Sequence, residues 1–271
     1  VYDKLTDTQR TVVDMLVDDG RVYRTWNWDF WRNSDSRSPE IAGIWGAVVG
    51  TVYTIGLAIL MAFPVGVGCA TYMEEFPKRK GQGWRKWRDF MEVNINNLAA
   101  VPSIVYGLLG LAVLINFFGL PRSASIVGAM TLGVLVLPVI VISARTALRT
   151  VPQSIRDASN GLGASRLQTV VYQVLPAAMP GIITGTIIGI ARAIGESAPL
   201  LMIGMVAFIL VPPGTPLDSA TTLPVQIFLW ADSPERGFAE KTSAAILVLL
   251  VALVALNLLA IWLRKRFEIK W

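Results

Sequence analysis

Long stretches without a single charged residue alternate along this chain with short blocks that carry its charges. Six stretches lack Asp, Glu, Lys and Arg: 41–73, 93–121, 123–144, 167–191, 197–217 and 242–263. A helix of roughly 20 residues crosses a hydrocarbon core of about 30 Å, so most of these stretches can span a membrane. Since a soluble protein could not bury so many such helices, the pattern predicts an all-α fold, a polytopic membrane helical bundle.

The positions of the basic residues predict the side of the membrane on which each block lies. Three clusters hold most of them: Lys78, Arg79, Lys80, Arg85, Lys86 and Arg88; Arg145, Arg149, Arg156 and Arg166; Arg264, Lys265, Arg266 and Lys270. Basic residues concentrate in short cytoplasmic loops, so we expect these clusters and the C-terminus in the cytoplasm. Segments 1–40 and 212–241 carry more acidic than basic residues and are expected outside.

These assignments predict an extracytoplasmic segment, 1–40, followed by a membrane domain, 41–271. The membrane domain has five predicted spans and one cytoplasmic region: about 41–63, 93–119, 124–144, 178–205 and 243–263, with 150–176 in the cytoplasm. An external N-terminus is awkward to insert, because residues 1–40 contain nothing like a signal sequence. We therefore expect one further span before Val1.

Composition excludes several classes of function. The chain is 54% hydrophobic and 16% charged, with a net charge of +5. Outside the predicted spans, however, its basic residues form no face that could bind nucleic acid. It has no His, and Cys69 is its only cysteine, which excludes an ordinary zinc site and a Ser-His or Cys-His nucleophile. No stretch matches the phosphate-binding loop of P-loop NTPases. We expect no metal, no cofactor and no catalytic residue in this chain.

A polar segment between two uncharged stretches is the first feature that points to a function. Within 151–176, we expect Pro152 to start a short helix, Gly163 to end it in a left-handed turn, and 167–174 to begin another helix. Such a helix–turn–helix would form a compact knob in the cytosol. An ordinary loop that happens to be helical accounts for the pattern equally well.

A charged pair inside an apolar span is the second such feature. Arg192 and Glu196 stand four residues apart, hence on one helix face, and Arg192 lies about 18 Å along the helix from Pro180, near the midplane. A charge there costs at least ~2.5 kcal/mol on insertion scales, so it should face a water-lined cavity or a partner. An Arg fork can hold two oxygens of an anion. Alternatively, the two charges neutralise each other or lock the chain to a partner. Gly195 and Pro199 should end or bend this helix.

A proline interrupts the predicted span 93–119. Pro102 removes a backbone hydrogen bond, and Ser103 and Tyr106 place polar groups beside it. A kink followed by the small residue Gly107 suits a helix that lines a gated path. It suits close helix packing equally well.

Three motifs resemble a known family. Asp157-Ala158-Ser159, followed by Gly163 and Leu175-Pro176, resemble the cytoplasmic motif of ABC importer permeases, which usually has Glu and Ala where this chain has Asp157 and Ser159. The stretches 97–108 and 191–200 are similar to signatures of the PstA family of phosphate importer permeases, which has the type I ABC importer permease fold. PstC-like subunits share much of this pattern.

The resemblance implies a transmembrane permease subunit of an ATP-driven inorganic phosphate importer in a prokaryotic inner membrane. The knob would be the coupling helix that docks on an ATPase, with Arg156, Asp157, Ala158, Ser159 and Gly163 as its coupling residues. The substrate path would hold Arg192, Glu196, Ser197, Ser103 and Tyr106. The implied partners are a PstC-like permease, two PstB-like ATPase subunits that bind ATP and Mg, a PstS-like phosphate-binding protein and membrane lipid.

Two other functions remain open from the sequence. One is an ABC importer for another oxyanion, such as sulfate or molybdate. The other, from a different class, is an ion-coupled secondary transporter or channel, which has no need of a knob that docks on an ATPase. A membrane enzyme has little support, because no set of catalytic groups converges.

Overall fold

The computed structural model of the protein describes residues 6–21, 26–76 and 82–267. Four basic residues used in the charge argument, together with the side chain of a fifth, lie outside the described residues: Lys78, Arg79, Lys80 and Lys270, and the side chain of Arg85. The described residues form helices and a single isolated backbone bridge, between Ala124 and Ser219, which confirms the all-α fold.

The described residues contain twelve α-helices and two π-helical segments. The α-helices are α1 Asp7–Asp18, α2 Asp29–Arg32, α3 Trp45–Glu75, α4 Gln82–Ala100, α5 Ser103–Leu109, α6 Ser125–Thr150, α7 Gln153–Gly161, α8 Arg166–Thr169, α9 Leu175–Gly195, α10 Ala198–Met202, α11 Leu223–Ala231 and α12 Gly237–Phe267. The π segments are Gly110–Phe117, which continues α5, and Val170–Val174, which joins α8 to α9. Four long apolar helices could cross a membrane, or five if the bent pair of α4 and α5 is one span.

Helix α6 lies at the centre of the bundle and is the most buried of the long helices. It packs on α9 through three glycines spaced four residues apart on one face of α9. A Cβ atom added to Gly181 would lie 2.7 Å from Ala147 Cβ, one on Gly185 would meet Ser143 Cβ, and one on Gly189 would lie 2.9 Å from Val136 Cγ1. Small residues at this spacing let two helix backbones approach closely.

Contacts at the two ends of the bundle fix the directions of the helices. The knob end holds α7, and there Glu74 at the end of α3 is ion-paired with Arg145 near the end of α6. The loop end holds the segment 203–222, and there Lys241 at the start of α12 donates a hydrogen bond to the carbonyl of Ala42, just before α3. Helices α3 and α6 therefore run in the same direction.

Because α3 and α6 are parallel, the chain between them must return from the knob end to the loop end. Helices α4 and α5 make this return, which supports counting the bent pair as one traverse of the bundle. Helix α9 runs antiparallel to α6, since its successive glycines meet residues progressively earlier in α6. With α3, α6, α9 and α12, the described part of the chain thus traverses the bundle five times.

The return between α3 and α6 differs in shape from the predicted span 93–119. Helices α4 and α5 meet at 101°, so Pro102 marks a full right-angle turn rather than a kink in one continuous helix. The turn forms because Pro102 has no backbone N–H to continue α4, and its own fixed φ of −56° begins α5 instead. Pro64 and Pro138, by contrast, lie inside the uninterrupted helices α3 and α6.

The segment 203–222 closes the loop end over the starts of α3 and α6. Ser125 N–H and Ile126 N–H, at the start of α6, donate to the carbonyls of Asp218 and Pro216. The Asp218 carboxylate accepts hydrogen bonds from Thr215 and from the backbone N–H of Gly214, which hold its pKa below the usual range. The bonds from Ser125 and Ile126 satisfy N–H groups at the start of α6 that have no partner within the helix.

Candidate functional site

The charged pair of the fourth traverse lies at the end of α9. This helix ends at Gly195, where the sequence predicts a break, and Glu196 follows in an extended conformation with φ −86° and ψ 117°. Arg192 Nε and Glu196 Oε1 are 3.7 Å apart, which is longer than a hydrogen bond. The Arg192 side chain is 46% exposed. The pair is therefore loose, and the guanidinium has donors available to a ligand.

The structure brings the two sequence signatures together. Helix α10, directly after Glu196, packs on α5, and a Cβ added to Gly107 would lie 2.7 Å from Pro199 Cα. Ser103 and Ser197 are both partly exposed at the starts of these two helices. The five residues predicted for the substrate path thus belong to two segments in direct contact.

Tyr106 has a structural partner that the sequence did not indicate. Its side chain is only 5% exposed, and its hydroxyl donates a hydrogen bond of 2.5 Å to the carbonyl of Leu98. Leu98 lies in the last turn of α4, where its carbonyl also accepts a hydrogen bond of 3.1 Å from Val101 N–H, because Pro102 has no N–H to offer. Tyr106 therefore links the two arms of the right-angle turn.

Replacing Tyr106 by phenylalanine is expected to weaken this turn. The change leaves the Leu98 carbonyl with the Val101 N–H as its remaining donor, a loss of about 0.5–1.5 kcal/mol, the net contribution of a typical hydrogen bond. We expect a lower melting temperature of the purified complex and faster proteolysis within 93–110. Phe117→Leu, an exposed aromatic change in the same arm, is the control and should leave both unchanged. Equal melting temperatures for the Tyr106 variant and the unmodified protein would contradict the link.

The knob has the form that its sequence predicts. Pro152 is the N-cap of α7, and Gly163 follows the helix with a φ of +86°. Ser159 Oγ lies 2.9 Å from Thr169 Oγ1, which also donates to Asn160 Oδ1 at 3.2 Å. These side-chain bonds tie α7 to α8, so the knob is a folded unit rather than a loose loop.

One face of the knob is open to solvent. Asp157 and Ala158 are exposed, and Asp157 Oδ1 accepts a hydrogen bond of 3.0 Å from Gln153 of the previous turn. Leu162, at the end of α7, is 91% exposed. The open face of the knob thus carries one apolar side chain beside polar ones.

Arg156 points away from this face. Its side chain is 15% exposed and forms an ion pair with Glu75 of α3, at 2.6 Å between Nη2 and Oε1. Of the five residues predicted for coupling, Arg156 is thus directed into the bundle. Asp157 and Ala158 lie on the open face, and Ser159 and Gly163 shape the knob itself.

The knob end also contains a network of ion pairs between residues far apart in the sequence. Arg145 on α6 binds Glu74 at 2.8 Å and Glu92 of α4 at 2.9 Å, and Arg149 also binds Glu74 at 2.8 Å. The one available signal was the pair Glu74-Glu75 directly after a long uncharged stretch. The arginines that bind Glu74 and Glu75 lie 71 to 81 residues away along the chain. Among the described residues, no group of His, Cys, Asp and Glu is arranged to hold a metal ion.

Comparison with known proteins extends these observations. Residues 80–270 match the family described as "Binding-protein-dependent transport system inner membrane component". The chain is 33% identical over 226 residues to the phosphate transport system permease protein PstA 1 of Mycobacterium tuberculosis (strain CDC 1551 / Oshkosh), covering 82% of this chain and 70% of that protein. It is 31% identical over 246 residues to the probable ABC transporter permease protein YqgH of Bacillus subtilis (strain 168), covering 88% and 76%.

Solved structures share the fold. A chain of the MetNI methionine ABC transporter, in an inward-facing conformation, matches with a TM-score of 0.63 at 18% identity, over 83% of this chain and 94% of that one. An amino acid ABC transporter crystallised with histidines matches with a TM-score of 0.59 at 17% identity, over 81% and 92%. These matches confirm the type I ABC importer permease architecture. Together with the family match, they establish that this chain belongs to the inner membrane components of binding-protein-dependent transport systems.

Proposed function

We propose that this chain is the permease subunit of an ATP-driven importer of inorganic phosphate. The observation that carries the proposal is the position of Arg192, a half-exposed and loosely paired guanidinium near the end of an apolar helix, six residues before α10, which packs on α5. A planar guanidinium with free donors suits a tetrahedral oxyanion, which it can bind through two oxygens. The identity to proteins named as phosphate transport permeases supports the same anion.

The chain would form half of a path and carry out no covalent chemistry. A homologous PstC-like permease would form the other half, and a PstS-like binding protein would deliver phosphate at the loop end. Two PstB-like subunits would bind ATP and Mg, and one of them would dock on the open face of α7. Their closure would move the knob, so that the path past Arg192 opens alternately to each side of the membrane.

In this mechanism the knob end and the C-terminus lie in the cytoplasm. The described basic residues support that orientation, since Arg145, Arg149 and Arg166 are at the knob end and Arg264 to Arg266 end α12.

Glu196 would regulate how tightly the site holds the anion. Its carboxylate, 3.7 Å from Arg192, lowers the positive field of the site, so that the anion is bound weakly enough to be released.

The test is the ATPase activity of the complete complex reconstituted in lipid vesicles with its binding protein. We expect phosphate to stimulate ATP hydrolysis severalfold and sulfate to leave it at the basal rate. The same vesicles without the binding protein provide the background. Stimulation by sulfate and not by phosphate would assign another oxyanion, and uptake driven by an ion gradient without ATP would assign a secondary transporter.

A further inference from the structure

A single, partly buried arginine connects the knob to two long helices. Arg156, on α7, donates to both carboxylate oxygens of Glu75: Nη2 lies 2.6 Å from Oε1, and Nε lies 3.2 Å from Oε1 and Oε2. The same guanidinium donates from Nη1 to the carbonyl of Val151 at 2.7 Å and from Nη2 to the carbonyl of Leu148 at 3.0 Å. Arg156 therefore joins α7 to the ends of α3 and α6.

The chemistry of this junction makes it stiff. The last carbonyls of α6 have no helical partner, and the guanidinium supplies donors and positive charge at the negative end of the helix dipole. A guanidinium paired with a carboxylate through two nitrogens has a fixed geometry. The side chains of Arg156 and Glu75 are 15% and 8% exposed, so loss of either partner would leave the other charge buried and unpaired.

We propose that Glu75 and Arg156 form a transmission clamp, through which the displacement of α7 becomes a movement of α3 and α6. The two residues are positioning residues, because neither lies on the open face of the knob. The inference rests on the proposed function, in which an ATPase moves that face. It assigns to Arg156 a role directed into the bundle instead of contact with the ATPase.

The packing beyond the clamp leads to the charged pair. Helix α6 meets α9 through Gly181, Gly185 and Gly189, where no side chain on α9 separates the two helices. Such direct backbone packing has little room to deform, so a movement of α6 has to displace α9 as well. Arg192 lies one turn beyond Gly189 on α9. The clamp thus connects the open face of the knob to the predicted substrate path through packed elements.

The experiment uses the complete complex in vesicles with its binding protein, carrying Glu75→Gln or Arg156→Lys. The first change keeps the shape of the side chain and removes its charge, and the second keeps the charge and removes the planar fork. We measure retention of the ATPase, phosphate-stimulated ATP hydrolysis and phosphate taken up per ATP hydrolysed. We expect both variants to retain the ATPase and most of the hydrolysis. Uptake per ATP should fall at least about tenfold, because without the two-nitrogen contact α7 can move without displacing the ends of α3 and α6.

The control is Asp89→Asn, which breaks the exposed ion pair of Arg88 and Asp89 on α4 and should leave uptake per ATP unchanged. Uptake per ATP is independent of the amount of folded complex, so a general loss of stability cannot lower it. Unchanged uptake per ATP in both variants would overturn the clamp, and so would loss of the ATPase from both, which would make the pair a docking or folding element. An unmodified complex without phosphate-stimulated hydrolysis would instead refute the proposed function.

Discussion

Arg192→Ala is expected to lower phosphate uptake by the assembled complex about 100-fold, since it removes a two-oxygen contact whose charged hydrogen bonds contribute about 1.5–3 kcal/mol each. Arg192→Lys keeps the positive charge but loses the planar guanidinium that binds two oxygens, so phosphate uptake should fall to an intermediate rate. Uptake of labelled phosphate by vesicles with equal amounts of complex measures both. Arg122→Ala changes an exposed arginine in the turn before α6 and provides the control. Normal uptake by the Arg192→Ala complex would exclude the substrate-path role.

A double variant distinguishes the path from a simple ion pair. If Arg192 and Glu196 only neutralise each other, Arg192→Ala together with Glu196→Gln removes both charges and should restore uptake. If Arg192 contacts the anion, the double variant should be as defective as Arg192→Ala alone. The 3.7 Å separation of the two groups favours the second outcome, because a pair that long contributes little to stability.

Leu162→Asp is expected to release the ATPase from the complex. Leu162 is 91% exposed on the open face of the knob, and a carboxylate there would be buried without a partner in an apolar contact. We expect the affinity of the ATPase to fall about 100-fold, a loss typical of a central interface residue. Co-purification of the ATPase with the permease pair measures it. Leu217→Asp, at a 58% exposed leucine of the loop end, should retain the ATPase. Retention of the ATPase by the Leu162→Asp variant would exclude this face of the knob as the docking surface.

The helices of this fold could be predicted where the signal is local. The uncharged stretches mark α3, α6, α9 and α12, because a membrane helix must be apolar along its whole length. Pro152 and Gly163 mark the limits of the knob for equally local reasons, a fixed φ and a left-handed turn. The spacing of Gly181, Gly185 and Gly189 at every fourth position of α9 is also typical of close helix packing.

The parts that could not be predicted depend on partners distant along the chain. Pro102 indicates a break, but the angle of 101° is set by the contacts of α5 with α10 and by the bond between Tyr106 and Leu98. The resemblance places Arg156 among the coupling residues, next to the Asp157-Ala158-Ser159 motif. Its actual direction depends on Glu75, which lies 81 residues earlier.

The right angle at Pro102 also has a consequence for the surrounding lipid. The arm that follows it, α5 with its π segment, has 7 and 8 residues. At about 1.5 Å per residue it is about 22 Å long, against a hydrocarbon core of about 30 Å. The tip of this arm exposes Phe117 and Phe118, and aromatic side chains favour the interface. Lipid beside this arm therefore meets a straight apolar segment shorter than the hydrocarbon core, and the last turns of α4, beyond the right angle, have to supply the rest of the traverse.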